Sequence, residues 1–215
     1  MSKDRPERNI WNASHVMVDI ETLGGEPTKS LMTSIAAMAF HPLGLAPTLS
    51  EETLNKTDIV DAKEGIFYKV LNIRDQLVTR EFDVDTLRWW TEKPEKASIL
   101  HHMLAAQPNL KVSLADQLLQ FSNWTKQVFS KYTYMWAYGN SFDVSFLEAF
   151  YRQYAYPFPF HYQGLMDART LLQTYELASM INFPYREDVR SHHALADVCK
   201  QIGYVQQAME FLKKK

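Results

Sequence analysis

Apolar and polar positions follow two periods along this chain. The period of two comes first. Residues His15 to Ile20 form an apolar, largely β-branched run, which predicts a buried strand. Its last residues alternate with two acids, Asp19 and Glu21. After a Gly-Pro turn at Leu23-Gly24-Gly25-Glu26-Pro27, a second apolar run from Thr33 to Phe40 predicts another strand, and a weaker third is expected near Glu51 to Asn55. Short turns between the three predict an antiparallel meander. Beyond residue 80 the period lengthens to that of a helix. Asp85 is the expected N-cap of a helix with Leu87, Trp89 and Trp90, and Pro94 opens another that runs to about Met103. Ser113 and Asp116 read as a capping-box-like start to a helix with Leu114, Leu118, Phe121 and Val128 on one stripe. A strand from Tyr132 to Ala137 follows, then a helix capped by Asn140-Ser141 that carries Phe142 and Phe146. A short strand near Tyr162 to Leu165 leads to Asp167 as N-cap of the next helix. The last helix is expected from Ser191, with Leu195, Val198, Ile202, Val205, Met209 and Leu212 stepping by three and four.

This order of strands and helices predicts an α/β fold, and 215 residues suit one such domain. Residues 1–13 are polar and are expected to be a loose N-terminal arm, with the domain occupying 14–215. A charged start with no apolar segment behind it predicts no signal peptide, and no apolar run is long enough to cross a membrane. One cysteine, Cys199, forbids an internal disulfide and fits a cytoplasmic setting. The net charge of −2 argues against a broad basic nucleic-acid surface. It leaves open a site where metal ions, rather than Lys and Arg, meet a phosphate.

The acids supply that chemistry. On a strand, Asp19 and Glu21 point to one face, where they repel each other unless a cation lies between them. The bland reading is a solvated strand end. Asp143, in Gly139-Asn140-Ser141-Phe142-Asp143, falls in the first turn of a helix, where the helix dipole alone accounts for an acid. Asp197 lies between Leu195 and Val198 of an apolar face, with His192 and His193 just upstream. Carboxylates that converge from separate elements with one histidine suit two divalent ions about 3.5–4 Å apart. All-oxygen ligands favour Mg²⁺ or Mn²⁺ over zinc. A histidine in such a site acts as general base on water. Helical geometry favours His193, four residues before Asp197.

Asp19-Ile20-Glu21-Thr22, Asn140-Ser141-Phe142-Asp143 and His192-His193-Ala194-Leu195-Ala196-Asp197 together resemble the three motifs of the DEDDh 3′→5′ exonucleases. Trp89-Trp90 and Asp167-Ala168-Arg169-Thr170 narrow the likeness to the branch of phage exonuclease A and the small bacterial exoribonucleases. The resemblance implies an RNase H-like fold, with a five-stranded mixed sheet flanked by helices. It implies hydrolysis of DNA or RNA from a free 3′ end, releasing nucleoside 5′-monophosphates. Asp19, Glu21, Asp143 and Asp197 would hold the metals. The family pattern His-x-Ala-x-x-Asp makes His192, not His193, the base. Thr22 and Leu23 would line the terminal nucleotide. Phe142 stacks on a base or belongs to the core of its helix start. One of Trp89 and Trp90 is core and the other a stacking platform, since neighbours on a helix face different ways. Arg169 touches phosphate or is a plain surface arginine. Relatives are often homodimers. Two other readings compete: a binding domain that lost catalysis, and an RNase H-like endonuclease.

Overall fold

The computed structural model describes residues 14–129, 133–183 and 192–214. The N-terminal arm and Ser191 lie outside them. Six strands make one mixed sheet in the order β3-β4-β2-β1-β5-β6. They are β1 Ser14–Thr22, β2 Met32–Phe40, β3 Asp58–Asp61, β4 Ile66–Val70, β5 Thr133–Ala137 and β6 Leu165–Asp167. The strands β1 to β4 pair antiparallel, whereas β5 and β6 run parallel to β1. The expected α/β, RNase H-like sheet is therefore present, with six strands rather than five.

The sixth strand comes from a misread segment. Residues Glu51–Leu54 form a short helix, α1, because Ser50 Oγ accepts the Thr53 N–H at 3.2 Å. That local capping bond outcompetes an extended backbone for this polar stretch. The strands instead lie downstream, in a hairpin closed by Gly65 at φ +70°, a conformation open to glycine. The aromatic and β-branched run Ile66-Phe67-Tyr68-Lys69-Val70 was the available signal.

The remaining helices are α2 Ile73–Gln76, α3 Val84–Thr91, α4 Pro94–Ala106, α5 Leu114–Val128, α6 Asn140–Gln153, α7 Ala168–Ser179 and α8 Ala194–Lys213. Ser113 caps α5 as expected, accepting the Asp116 N–H at 3.1 Å. Two caps differ from expectation. Asp83, not Asp85, caps α3 by accepting the Thr86 N–H at 2.7 Å, while Asp85 pairs with Arg88. Neither Asn140 nor Ser141 caps α6. Gly139 holds that position at φ +124°, and Asp167 reaches over from β6 to accept the Asn140 N–H at 2.8 Å. The other Asp167 oxygen accepts the Thr170 N–H at 2.8 Å, so one carboxylate starts both α6 and α7.

Strand β1 divides two cores. Val16, Val18 and Ile20 pack against α5 and α6 through Leu118, Phe121, Phe146 and Leu147. Met17 belongs to the opposite cluster, with Trp90 of α3 and Leu195, Val198 and Ile202 of α8. Strand alternation puts Asp19 and Glu21 on the Met17 face, toward the N-terminus of α8. Pairing of β1 with β2 shifts register between Glu21 and Thr22, a bulge beside these acids.

Candidate metal-dependent active site

Three elements bring the acids together. Carboxylate oxygens of Asp19, Glu21 and Asp197 all lie within 4.8 Å of one another. Asp197 joins them because α8 begins at Ala194, which places it in the first helical turn rather than the second. Asp143 stands beside this trio. It is buried at the start of α6, and its Oδ1 accepts the Ile20 N–H at 3.3 Å. Pairing of β1 with β5 ends at Met17, so Asp143 meets a strand amide beyond the end of that ladder.

The electrostatics favour a cation among these acids. Burial pushes the Asp19 carboxyl well above its ordinary range, and the charges of Asp143 and Asp197 push it further. Glu21 is raised by burial first, then by Asp19, Asp197 and Asp143. Burial lifts Asp143 to about 7 against the opposing Ile20 N–H. Three acids whose carboxyls are all raised repel one another when charged, and a divalent ion offsets that repulsion. The donor set is wholly oxygen, which fits Mg²⁺ or Mn²⁺.

Two residues of α8 that the sequence reading passed over contact this cluster. Gln201 Nε2 donates to Asp19 Oδ1 at 2.8 Å, and Lys200 Nζ lies 2.5 Å from Asp197 Oδ1. Helical register was the signal that would have found Gln201, four residues after Asp197.

The two histidines part company. His192 has φ +76°, and its N–H donates to Asp197 Oδ2 at 2.6 Å. Its ring packs edge-on against Trp89, with centroids 4.7 Å apart, and lies 6.1 Å from Trp90. Burial lowers its pKa, and Lys96, Lys200 and Lys93 add to the effect against Asp197. His193 is buried, its ring 2.9 Å from the Leu54 carbonyl oxygen through Nε2 and tilted against Tyr68 with centroids 5.0 Å apart. It occupies the extended N-cap position of α8, so the helical four-residue rule does not carry it to the Asp197 face.

A cleft of about 310 Å³ adjoins the acids, and Glu21, Thr22, Thr86, Trp89, Trp90 and Phe142 are among its walls. That volume is at the lower end of small-ligand sites, about 300–1,000 Å³. Trp90 is the core member of the tryptophan pair, with Nε1 donating to the Thr22 carbonyl at 3.0 Å. Trp89 is 36% exposed, with Lys96 Nζ 3.5 Å from its ring centroid. Phe142 is 38% exposed and also packs on Phe146. Leu23 does not line this cleft; its side chain is buried in the α8-side core. Arg169 is exposed, packs beside Gly139, donates to the Tyr138 carbonyl at 3.2 Å, and its charge lowers the Asp143 carboxyl against the larger effect of burial. Trp90→Ala is expected to lower stability by about 3–5 kcal/mol, and Trp89→Ala by less than 1 kcal/mol. Urea unfolding of the two variants checks this contrast.

The fold recurs in solved structures. The zinc-bound complex of E. coli exonuclease I with single-stranded DNA superposes with a TM-score of 0.60 at 15% identity, over 94% of this chain and 43% of that one. The same enzyme with a dT13 oligonucleotide gives 0.57 at 15% identity, over 91% and 41%. The chain thus spans less than half the length of exonuclease I. No curated protein matches the sequence. Residues 14–209, which contain every acid of the cluster and His192, match the 3′-5′ exoribonuclease Rv2179c-like domain, and the chain belongs to that family.

Proposed function

We propose that this protein is a metal-dependent 3′→5′ exoribonuclease of the DEDDh type. The observation that carries the reading is the trio of Asp19, Glu21 and Asp197, within 4.8 Å and largely withdrawn from solvent, beside an aromatic-walled cleft. Asp19, Glu21 and Asp197 would hold one divalent ion, and Asp143 with Asp19 a second. When bound, such ions activate water and offset charge on a phosphodiester. The chain's own residues supply the rest. Gln201 fixes the Asp19 carboxylate by holding one of its oxygens. The cleft walls Thr22, Trp89 and Phe142 receive the 3′-terminal nucleoside, and a base stacks on an exposed aromatic face. His192 accepts the proton of the attacking water. Its lowered pKa keeps the imidazole neutral near pH 7, and the Asp197–N–H bond together with the Trp89 contact fixes its position. Arg169, whose charge reaches Asp143, touches a phosphate of the substrate. Membership of the phage exonuclease A branch rests on Trp89-Trp90 and the Asp167 to Thr170 step.

The reading is tested with matched 5′-labelled single-stranded RNA and DNA oligomers in Mn²⁺ or Mg²⁺. The expected result is a ladder shrinking from the 3′ end, faster on RNA, with nucleoside 5′-monophosphates released. Circular and 3′-blocked oligomers remain intact. Cleavage of the circle would replace this reading by an endonuclease. Binding without hydrolysis would replace it by a binding domain. With a net charge of −2 and few phosphate contacts, log KM is expected to change by less than about one unit over a tenfold change in salt. Initial rates from 50 to 500 mM salt measure that slope.

A further inference from the structure

We infer that Lys200 exchanges partners, pairing with Asp197 until a divalent ion takes that carboxylate and then contacting a backbone phosphate of the incoming strand. The inference rests on the exonuclease site described above. Both oxygens of Asp197 are engaged: Oδ2 accepts the His192 N–H, and Oδ1 lies 2.5 Å from Lys200 Nζ. The His192 amide is neutral, so it shares the carboxylate with an ion at little electrostatic cost. The ammonium is different. A cation on Asp197 and the Lys200 charge repel each other across a few ångströms in a site shielded from water.

Lys200 has somewhere to go. Its side chain is partly exposed at 17%, and it forms one end of a groove of about 870 Å³ between α8 and residues 43–49. Lys213 and Lys214 lie at the far end of the same groove, where Lys214 pairs with Glu210 at 2.8 Å. A swing of the four-carbon stem moves the ammonium out of the carboxylate cluster and into that opening without moving the helix. The charge balance favours an anion there. Four carboxylates and two divalent ions cancel, so Lys200 then faces acids that carry no net negative charge. A phosphodiester brings one negative charge. The residue is thus both a competitor of the metal and a ligand of the substrate, two roles that a surface ion pair does not combine.

The test compares the full chain with Lys200→Met and Lys200→Arg. Isothermal titration with Mn²⁺ alone gives the metal affinity. Fluorescence anisotropy of a labelled single-stranded RNA oligomer in Ca²⁺ gives the strand affinity without turnover. Removing the competing charge in Lys200→Met is expected to tighten Mn²⁺ binding roughly three- to tenfold. The same variant is expected to weaken RNA binding about tenfold and to lower the slope of log Kd against log salt by about 0.7, one phosphate contact. Lys200→Arg keeps RNA affinity within about threefold. Unchanged or weaker Mn²⁺ binding by Lys200→Met overturns the inference, and so does unchanged RNA binding. Lys200→Gln is the alternative if the methionine variant unfolds early in a thermal melt. If wild type binds Mn²⁺ and RNA but cleaves nothing, the exonuclease reading fails, whereas both binding arms still decide the role of Lys200.

Discussion

Asp19→Asn is expected to abolish hydrolysis and, without divalent ions, to make the protein more stable. Asparagine keeps the shape and the Oδ1 acceptor that Gln201 Nε2 uses at 2.8 Å. It removes only the charge. That charge is largely desolvated and lies near Asp143 and Asp197, which is why the Asp19 carboxyl is raised well above its ordinary range. An acid whose pKa is higher in the folded than in the unfolded state binds more protons when folded. Stability therefore falls as pH rises through the interval between the two values, by up to about 1.4 kcal/mol per pH unit for each such group. Asp143 sets one window explicitly, from 3.8 unfolded to about 7 folded. Wild type in EDTA is accordingly expected to be more stable at pH 5 than at pH 8. At pH 8 in EDTA, Asp19→Asn is expected to melt above wild type by roughly 2–8 °C, from about 1–2 kcal/mol of relieved repulsion and desolvation. Adding Mn²⁺ reverses the order, because wild type gains the binding energy and the variant loses a ligand. Activity in Mn²⁺ falls roughly 10³-fold or more. Thermal melts at pH 5 and pH 8, with EDTA or Mn²⁺, together with initial rates, measure all of this. A variant less stable than wild type in EDTA at pH 8 would mean that local groups already compensate the Asp19 charge.

The parts of this site that could be read from sequence are those set by local backbone period. Asp19 and Glu21 share a face because a strand alternates, and β1 does extend through both. Asp197 is held by the apolar positions on either side of it, Leu195 and Val198, which pack in the core. The parts that escaped depend on contacts distant in sequence or on where an element starts. Asp167 caps α6 from 27 residues downstream, which no local capping rule registers. The hairpin of β3 and β4 is hidden because β3 has only four residues, Ile59 and Val60 bracketed by Asp58 and Asp61, which shows no alternation. Gln201 and Lys200 fall outside the three motifs, and the register of α8 alone turns them toward Asp19 and Asp197. The strand count followed the same logic: five strands came with the family resemblance, and the edge hairpin makes six.

The adjacent histidines offer the sharpest separation of chemistry from folding. His192→Ala is expected to lower kcat by about 10²–10⁴-fold, the usual contribution of a general base, with KM and melting temperature close to wild type. Its ring lies on the half-exposed Trp89, so its loss leaves little void. His193→Ala is expected to do the opposite. Its ring is buried between Tyr68, His102 and the Leu54 carbonyl. Truncation there leaves a cavity and removes the Leu54 partner, lowering stability by about 2–3 kcal/mol. Per folded molecule, kcat stays within about twofold. The pH dependence adds an independent check. A base works when deprotonated, and the His192 pKa is displaced downward by burial and nearby lysines. At saturating Mn²⁺, wild-type kcat should rise with pH to a plateau, with its inflection below the ordinary imidazole value of about 6.5. His192→Ala flattens that limb, whereas His193→Ala leaves it in place. Urea titration and pH–rate profiles of the two variants decide the matter. Loss of the acid limb through His193→Ala alone would transfer the base role to the buried ring, and α8 would then have to begin at least one residue earlier to bring His193 onto the Asp197 face.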